Sequence, residues 1–208
     1  MDTVSPGALQ VLDGSYYEPL NFKPEDVKPE VIAHQLALKC RWNGNTNCNT
    51  DEREPIFYSV AQHSCIVHDL ARDHKEHFVP GGEWHLRACP SAYGLMHDAA
   101  EGPYIDVPRP LKRSVPALSE FEKPIIGTIL TTLNIPLDGI ISECVRRIDN
   151  AMIFWERDLL VGKPVLPYGN ERDHPGGSLL DWIPDFEPWS PSRAKREFLE
   201  RFYSLDGM

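Results

Sequence analysis

The chain is expected to fold as an all-α bundle. Two observations carry that expectation: apolar residues recur at helical spacing through most of the sequence, and no stretch reads as a strand of a sheet. A length of 208 residues with 41% hydrophobic content suits one domain, 1–208, with a sizeable core.

Each helix has a local reason. Residues 29–41 open on Pro29, a favourable first-turn position, and place Ile32, Leu36 and Cys40 on one face. Residues 42–55 are dense in Asn, Thr, Gly and Asp and read as a loop. The next helix, 57–73, carries Val60, Ser64, Val67 and Ala71 on one face with His63 beside them. After the break at "VPGGEW", a helix over 90–101 is closed by Gly102 and Pro103. Residues 103–116 hold too many prolines for a continuous helix. Helices are expected over 118–133 and over 137–160, the latter with the longest stripe: Ile141, Val145, Ile148, Met152, Trp155, Leu159. Pro, Gly and Trp make 162–191 an irregular segment. A last helix has Ser190 as N-cap, Pro191 at its first position, and Phe198 and Phe202 on one face.

A formal charge of −10, from 31 acids against 21 bases, argues against wrapping long nucleic acid or adhering to anionic membrane. Small phosphorylated substrates stay open, because a few local cations can hold them. Five cysteines form no CxxC pair, which fits reduced thiols. Cys40, Cys48, His63 and His68 lack zinc-finger spacing. No basic and apolar leader and no run of membrane-spanning length is present, so a cytoplasmic protein is expected.

The informative polar residues are those on apolar stretches. His-Asp occurs twice, at 68–69 and 97–98. On the 57–73 helix His68 lies about 140° from His63 and off the apolar face, and Asp69, Arg72 and Asp73 around it read as a solvated side. His97-Asp98 sits in "AYGLMHDAAEG", with Glu101 one turn later. Asp149 stands beside the Val145 and Met152 face of its helix. Taken singly, each of these is most often a satisfied core group; an unpaired one would be costly. Together, His63, His97, Asp98 and Asp149 from three helices could converge on one cation, which removes that penalty for all four. Two imidazoles and two carboxylates suit Mn²⁺, Co²⁺, Fe²⁺ or Zn²⁺ and, less well, Mg²⁺.

The order His63, His97-Asp98, Asp149 resembles the H…HD…D signature of the HD superfamily of metal-dependent phosphohydrolases, which are all-α. "CRWNGNT" at 40–46, "FYSVAQHSCIV" at 57–67 and "MHDAAEGPYIDVPRPLK" at 96–112 are similar to segments of bacterial 5′-deoxynucleotidases and phage dATP triphosphohydrolases. The resemblance implies an HD-domain bundle with metal ligands His63, His97, Asp98 and Asp149. It also implies catalytic carboxylates Glu101 and Asp106, and phosphate or substrate contacts from Arg41 and Trp42. Lys112 could add charge near a β or γ phosphate. The implied reaction is hydrolysis of a deoxynucleotide 5′-phosphate ester, with dATP ahead of dNMPs, in a homo-oligomer.

Plainer roles stay open at this point. Glu101 could be an exposed terminal acid, Asp106 a turn cap, Lys112 solvated and Trp42 core. A nucleotide-binding regulatory module with an inactive site is the alternative of another class. A di-iron HD site would call for two further histidines before Asp149, and residues 99–148 contain none.

Overall fold

A computed structural model describes residues 4–47, 54–79, 90–162, 182–183 and 186–205. Among these the protein is all-α, apart from a two-stranded hairpin of β1 (Leu9–Gln10) and β2 (Tyr16–Tyr17). The helices are α1 (Pro29–Ala37), α2 (Val60–Asp73), α3 (Ser91–Met96), α4 (Arg109–Ser114), α5 (Ala117–Thr132), α6 (Gly139–Glu156) and α7 (Pro191–Ser204). None is long and apolar enough to cross a membrane.

Helix α2 is the hub, packed by α1, α3, α6 and α7. Ser59 caps it by accepting from the Gln62 amide at 3.1 Å. Phe57, Tyr58 and the cap itself are therefore not the helical turn expected from position 57. Instead Ser59 pairs with Cys40 in an antiparallel bridge, with the Arg41 amide donating to the Tyr58 carbonyl at 2.8 Å and the Val60 amide to Lys39 at 3.0 Å. This bridge brings Arg41 to the start of the helix that carries His63.

One apolar cluster lies where α1, α3, α5 and α7 meet α2, around Ile32, Leu36, Leu95, Ile129 and Phe198. Another lies between α2 and α6, around Val67, Leu70, Ile148 and Met152. Tyr93 packs against both. Because α2 is covered on several sides, Val60 through His68 are all buried. That corrects the reading of His68 as part of a solvated face: it is 2% exposed, and its Nδ1 lies 3.0 Å from the Ser91 carbonyl at the start of α3. Asp69 does not simply face water either, since it accepts from Arg201 of α7 at 2.8 and 3.1 Å. Periodicity shows which side of a helix is most apolar; it does not show how many neighbours surround it.

The 90–101 stretch also differs from expectation. The α-helix stops at Met96, and Ala99–Glu101 form a 3-10 turn. Asp98, between them, has φ −99° and ψ 11°, outside the α-helical basin. Helix α6 begins at Gly139, where Asp138 accepts from the Ile140 and Ile141 amides, and runs into a π turn over Arg157–Val161. In the proline-rich stretch a short helix, α4, has Pro at its N-terminal edge, where no amide is required. At the C-terminal end Ser190 caps α7 as expected, accepting from the Arg193 amide. Most of the irregular 162–191 segment lies outside the described residues.

Candidate metal centre

Gly94 sets the distance between α2 and α3. A Cβ there would meet the Val67 carbonyl oxygen at 3.2 Å and Ala71 and His68 at 3.4 Å, so glycine lets the helices approach closely. His97 then faces His63, with ring centroids 5.3 Å apart.

Both rings are oriented by the protein. The His63 Nδ1 lies 2.6 Å from Glu156 Oε1, and the His97 Nδ1 lies 2.8 Å from the Gly94 carbonyl oxygen. A carbonyl can only accept, and an ionised carboxylate can only accept, so Nδ1 carries the proton in each ring. In its neutral form, the one that ligates a metal, each ring therefore presents a bare Nε2 inward. Both Nε2 atoms are buried and have no hydrogen-bond partner among the described residues. Two aimed, unpartnered ring nitrogens are what a metal site needs and what an apolar core avoids.

Carboxylates complete the surroundings. Asp98 Oδ2 lies 3.3 Å from His97 Nε2 and 3.7 Å from His63 Nε2. Asp149 Oδ1 lies 3.3 Å from His63 Nε2 and 4.0 Å from His97 Nε2, and its other oxygen is held by Arg109. The ligand atoms of His63, His97 and Asp98 all lie within 4.8 Å of one another, a group that could hold a metal ion. Burial alone would lower the His97 pKa, but Asp98 and then Asp149 raise it to about 9. These carboxylates supply the negative charge that a cation would balance.

Glu156 was not foreseen. It is fully buried and accepts from five donors. Arg41 Nε and Nη2 reach its Oε2 at 3.3 and 3.2 Å, and Trp42 Nε1 reaches the same oxygen at 2.9 Å. Tyr58 Oη, at 2.9 Å, and His63 share Oε1. Burial opposes the charge, but Arg41 and then His63 outweigh it and hold the carboxyl below the usual range. A signal was available: Glu156 follows Asp149 by seven residues, hence on the same face of α6, within an apolar stripe. The clue that singled out Asp149 applied equally to it.

The other anticipated residues are placed as follows. Arg41 donates from Nη1 to Asp98 at 3.2 Å as well as to Glu156, so three of its five N–H groups are used and one remains on each Nη nitrogen. Trp42 is tied by its indole N–H to Glu156 and has φ 57°, with Asn43 at 51° and Gly44 at 74°. Two adjacent non-glycine residues in the left-handed region mark a turn held in place by its surroundings. Glu101 is 5% exposed, not an open terminal acid, and its Oε2 has no partner among the described residues. Burial, then Asp98 and Asp106, push its pKa well above the carboxylate range. Burial also raises Asp106, partly offset by Arg41. Lys112 is partly exposed and ion-paired with Glu122 at 2.6 Å.

Fold and site together define an all-α protein with a buried two-histidine, one-aspartate group able to hold a metal ion. By sequence the chain belongs to the family of the uncharacterized protein YfdR of Escherichia coli (strain K12), with 31% identity over 195 residues that span 91% of this chain and 89% of YfdR. An uncharacterized protein of Rhodobacter capsulatus is 28% identical over 156 residues, 74% of this chain and 72% of its own. No protein-family model matches the chain.

Proposed function

We propose that the chain is an HD-type phosphohydrolase that uses one divalent metal to hydrolyse the 5′-phosphate ester of deoxynucleotides, with dATP the first choice and dNMPs the alternative. The observation that supports this reading is the pair of buried, unpartnered Nε2 atoms of His63 and His97, aimed between Asp98 and Asp149. Mn²⁺, Co²⁺, Fe²⁺ or Zn²⁺ suits these donors, and Mg²⁺ suits them less. When bound, such an ion lowers the pKa of water and draws charge from a phosphoryl oxygen.

The protein's own groups supply the rest. Water attacks phosphorus and the bond from phosphorus to O5′ breaks, in dATP and in a dNMP alike. Glu101, kept protonated by burial, donates its proton to the departing O5′. Asp106 accepts the proton that the attacking water gives up. Arg41 offers its two remaining N–H groups to a phosphoryl oxygen pair, and its fixed partners hold it there without rearrangement. Trp42 walls the sugar or base. Lys112, paired with Glu122, adds field from a distance. We also propose a homo-oligomeric, cytoplasmic protein; size-exclusion at low concentration showing a monomer would remove the first claim.

The test is a substrate panel: purified chain with Mn²⁺, Co²⁺, Mg²⁺ or Zn²⁺ against dATP, other dNTPs, dNMPs and ribonucleotides, scored for phosphate, triphosphate and nucleoside. Metal-dependent turnover of a deoxynucleotide is expected, and Asp98→Ala and Asp149→Ala are expected to abolish it. Full activity in either variant overturns the ligand assignment. Nucleotide binding with no turnover under any metal would replace the enzyme by a regulatory module.

A further inference from the structure

The far end of α2 holds a second cluster of ligating side chains that the proposed reaction does not use. The helix closes at Asp73, and Lys75–His77 continue as a 3-10 turn in which the His77 amide donates to the His74 carbonyl at 3.1 Å. His74 precedes that turn, and its ring lies 6.4 Å from that of His77, so both imidazoles project on the same side. Glu76 joins them: one ligand atom from each of His74, Glu76 and His77 lies within 4.8 Å of the other two. Trp182 fixes both rings. It stacks on His74 at 4.6 Å with 8° between planes and meets His77 at 4.7 Å, and it rests edge-on against the buried Phe78. The cluster sits at the C-terminal, electronegative end of a 14-residue helix, where a cation is favoured. A cavity of about 120 Å³ between Asp69, Asp73, His74 and Trp182 adjoins it.

We propose that His74, Glu76 and His77 form a second, surface-accessible site for a divalent transition metal, separate from the buried group. His74 is eleven residues beyond His63, about 16 Å along the helix, so the two sites share no ligand. Two imidazoles and one carboxylate match Zn²⁺, Ni²⁺ or Cu²⁺ and disfavour Ca²⁺ or Mg²⁺. Three protein ligands leave a coordination position for water, which the half-exposed setting supplies. Pre-stacking on Trp182 reduces the ring freedom that binding must remove.

The experiment uses the untagged full chain stripped of metal. Zn²⁺ is titrated calorimetrically, and quenching of tryptophan emission is followed on adding Cu²⁺. Wild type is expected to bind two Zn²⁺ per chain and His74→Ala/His77→Ala only one. That double variant should also lose the part of Cu²⁺ quenching that Trp182→Phe removes. Glu76→Gln, at an exposed position, is expected to weaken the same Zn²⁺ by at least about tenfold. It serves as the readout if the double variant has a lower melting temperature in EDTA. Unchanged stoichiometry and quenching in the double variant, or unchanged affinity in Glu76→Gln, overturns the site and leaves the rings as stacking partners of Trp182. Asp98→Ala separates the two centres: it should lose the buried ion and keep the one that His74→Ala/His77→Ala loses, and if wild type binds a single ion that only the double variant loses, the buried site fails while the outer one stands.

Discussion

Replacing Glu156 by Gln removes one charge from a fully buried carboxylate that accepts from Arg41, Trp42, Tyr58 and His63. The amide keeps one acceptor oxygen and turns the other position into a donor. If its oxygen stays toward Tyr58 and His63, the new N–H₂ confronts three donors from Arg41 and Trp42. If the amide flips, it donates to His63 Nδ1, the ring takes its other tautomer, and the Nε2 aimed at the proposed metal position becomes protonated. Both arrangements have a cost. Breaking a buried ion pair on one side destabilises by about 3–5 kcal/mol. The remaining Arg41–Asp98 contact at 3.2 Å places the expectation at the lower end, about 3 kcal/mol. At roughly 2–4 °C per kcal/mol for a chain of this size, the melting temperature should fall by about 6–12 °C. Metal affinity should fall by about 10–100-fold, as for other partners that orient a ligating histidine. Urea unfolding in EDTA measures the first effect and competition against a chelating dye the second. Histidine ¹⁵N shifts report the tautomer. A variant within about 0.5 kcal/mol of wild type, the usual spread for an inconsequential surface change, with metal affinity intact, would refute the account of Glu156 as the strut of the site.

Two further perturbations test neighbouring parts. Glu101 has its pKa raised by burial first and then by Asp98 and Asp106. Below about pH 4 both folded and unfolded chains hold its proton. As pH rises the unfolded chain releases it first, so folding stability in EDTA falls until the raised folded pKa is passed. Glu101→Gln should flatten that loss, be more stable than wild type at neutral pH, and lower kcat by about 10²–10⁴-fold; equal stability across pH 4–8 would count against the buried acid. Gly94→Ala pushes a methyl against the Val67 carbonyl 3.2 Å away. A loss of about 1–3 kcal/mol and weaker metal binding are expected in the same titrations, and a neutral outcome would mean that α2 and α3 are not held at their closest approach there.

What the sequence disclosed follows from the kind of signal each feature leaves. Helix type was legible because the stripe from Ile141 to Leu159 and the Ser190-Pro191 start are local patterns, and both reappear in α6 and α7. Helix ends were less so. The start of α2 follows Ser59, which pairs with Cys40 across the chain, and α3 stops at Met96, just before Asp98 leaves the α-helical basin. His68 was misread because the start of α3 covers its side of α2, while Arg72 and Asp73 are exposed as expected. His63, His97, Asp98 and Asp149 were legible as polar groups on apolar faces, and the structure brings all four together. Lys112 and Arg41 show the opposite limit. Their partners, Glu122 for Lys112 and Glu156 and Asp98 for Arg41, lie on other elements, so no helical spacing announced that their charges were already engaged.

That engagement changes how the site would work. A free Arg41 would be a flexible side chain that loses rotamer freedom each time it grips a phosphate. Held by Glu156 and Asp98, it has lost that freedom during folding, and its two remaining N–H groups already point in fixed directions. The same Glu156 sets the proton on His63, so Arg41, the proposed phosphate donor, and His63, the proposed metal ligand, are positioned by one carboxylate. Disturbing either partner of Glu156 should therefore disturb both. Arg41→Met is expected to weaken metal binding although Arg41 is no ligand, because an uncompensated Glu156 would raise its pKa, take up a proton and donate to His63 Nδ1 instead of accepting from it. Chelator competition on Arg41→Met decides the point: unchanged metal affinity would show that the two functions are held independently.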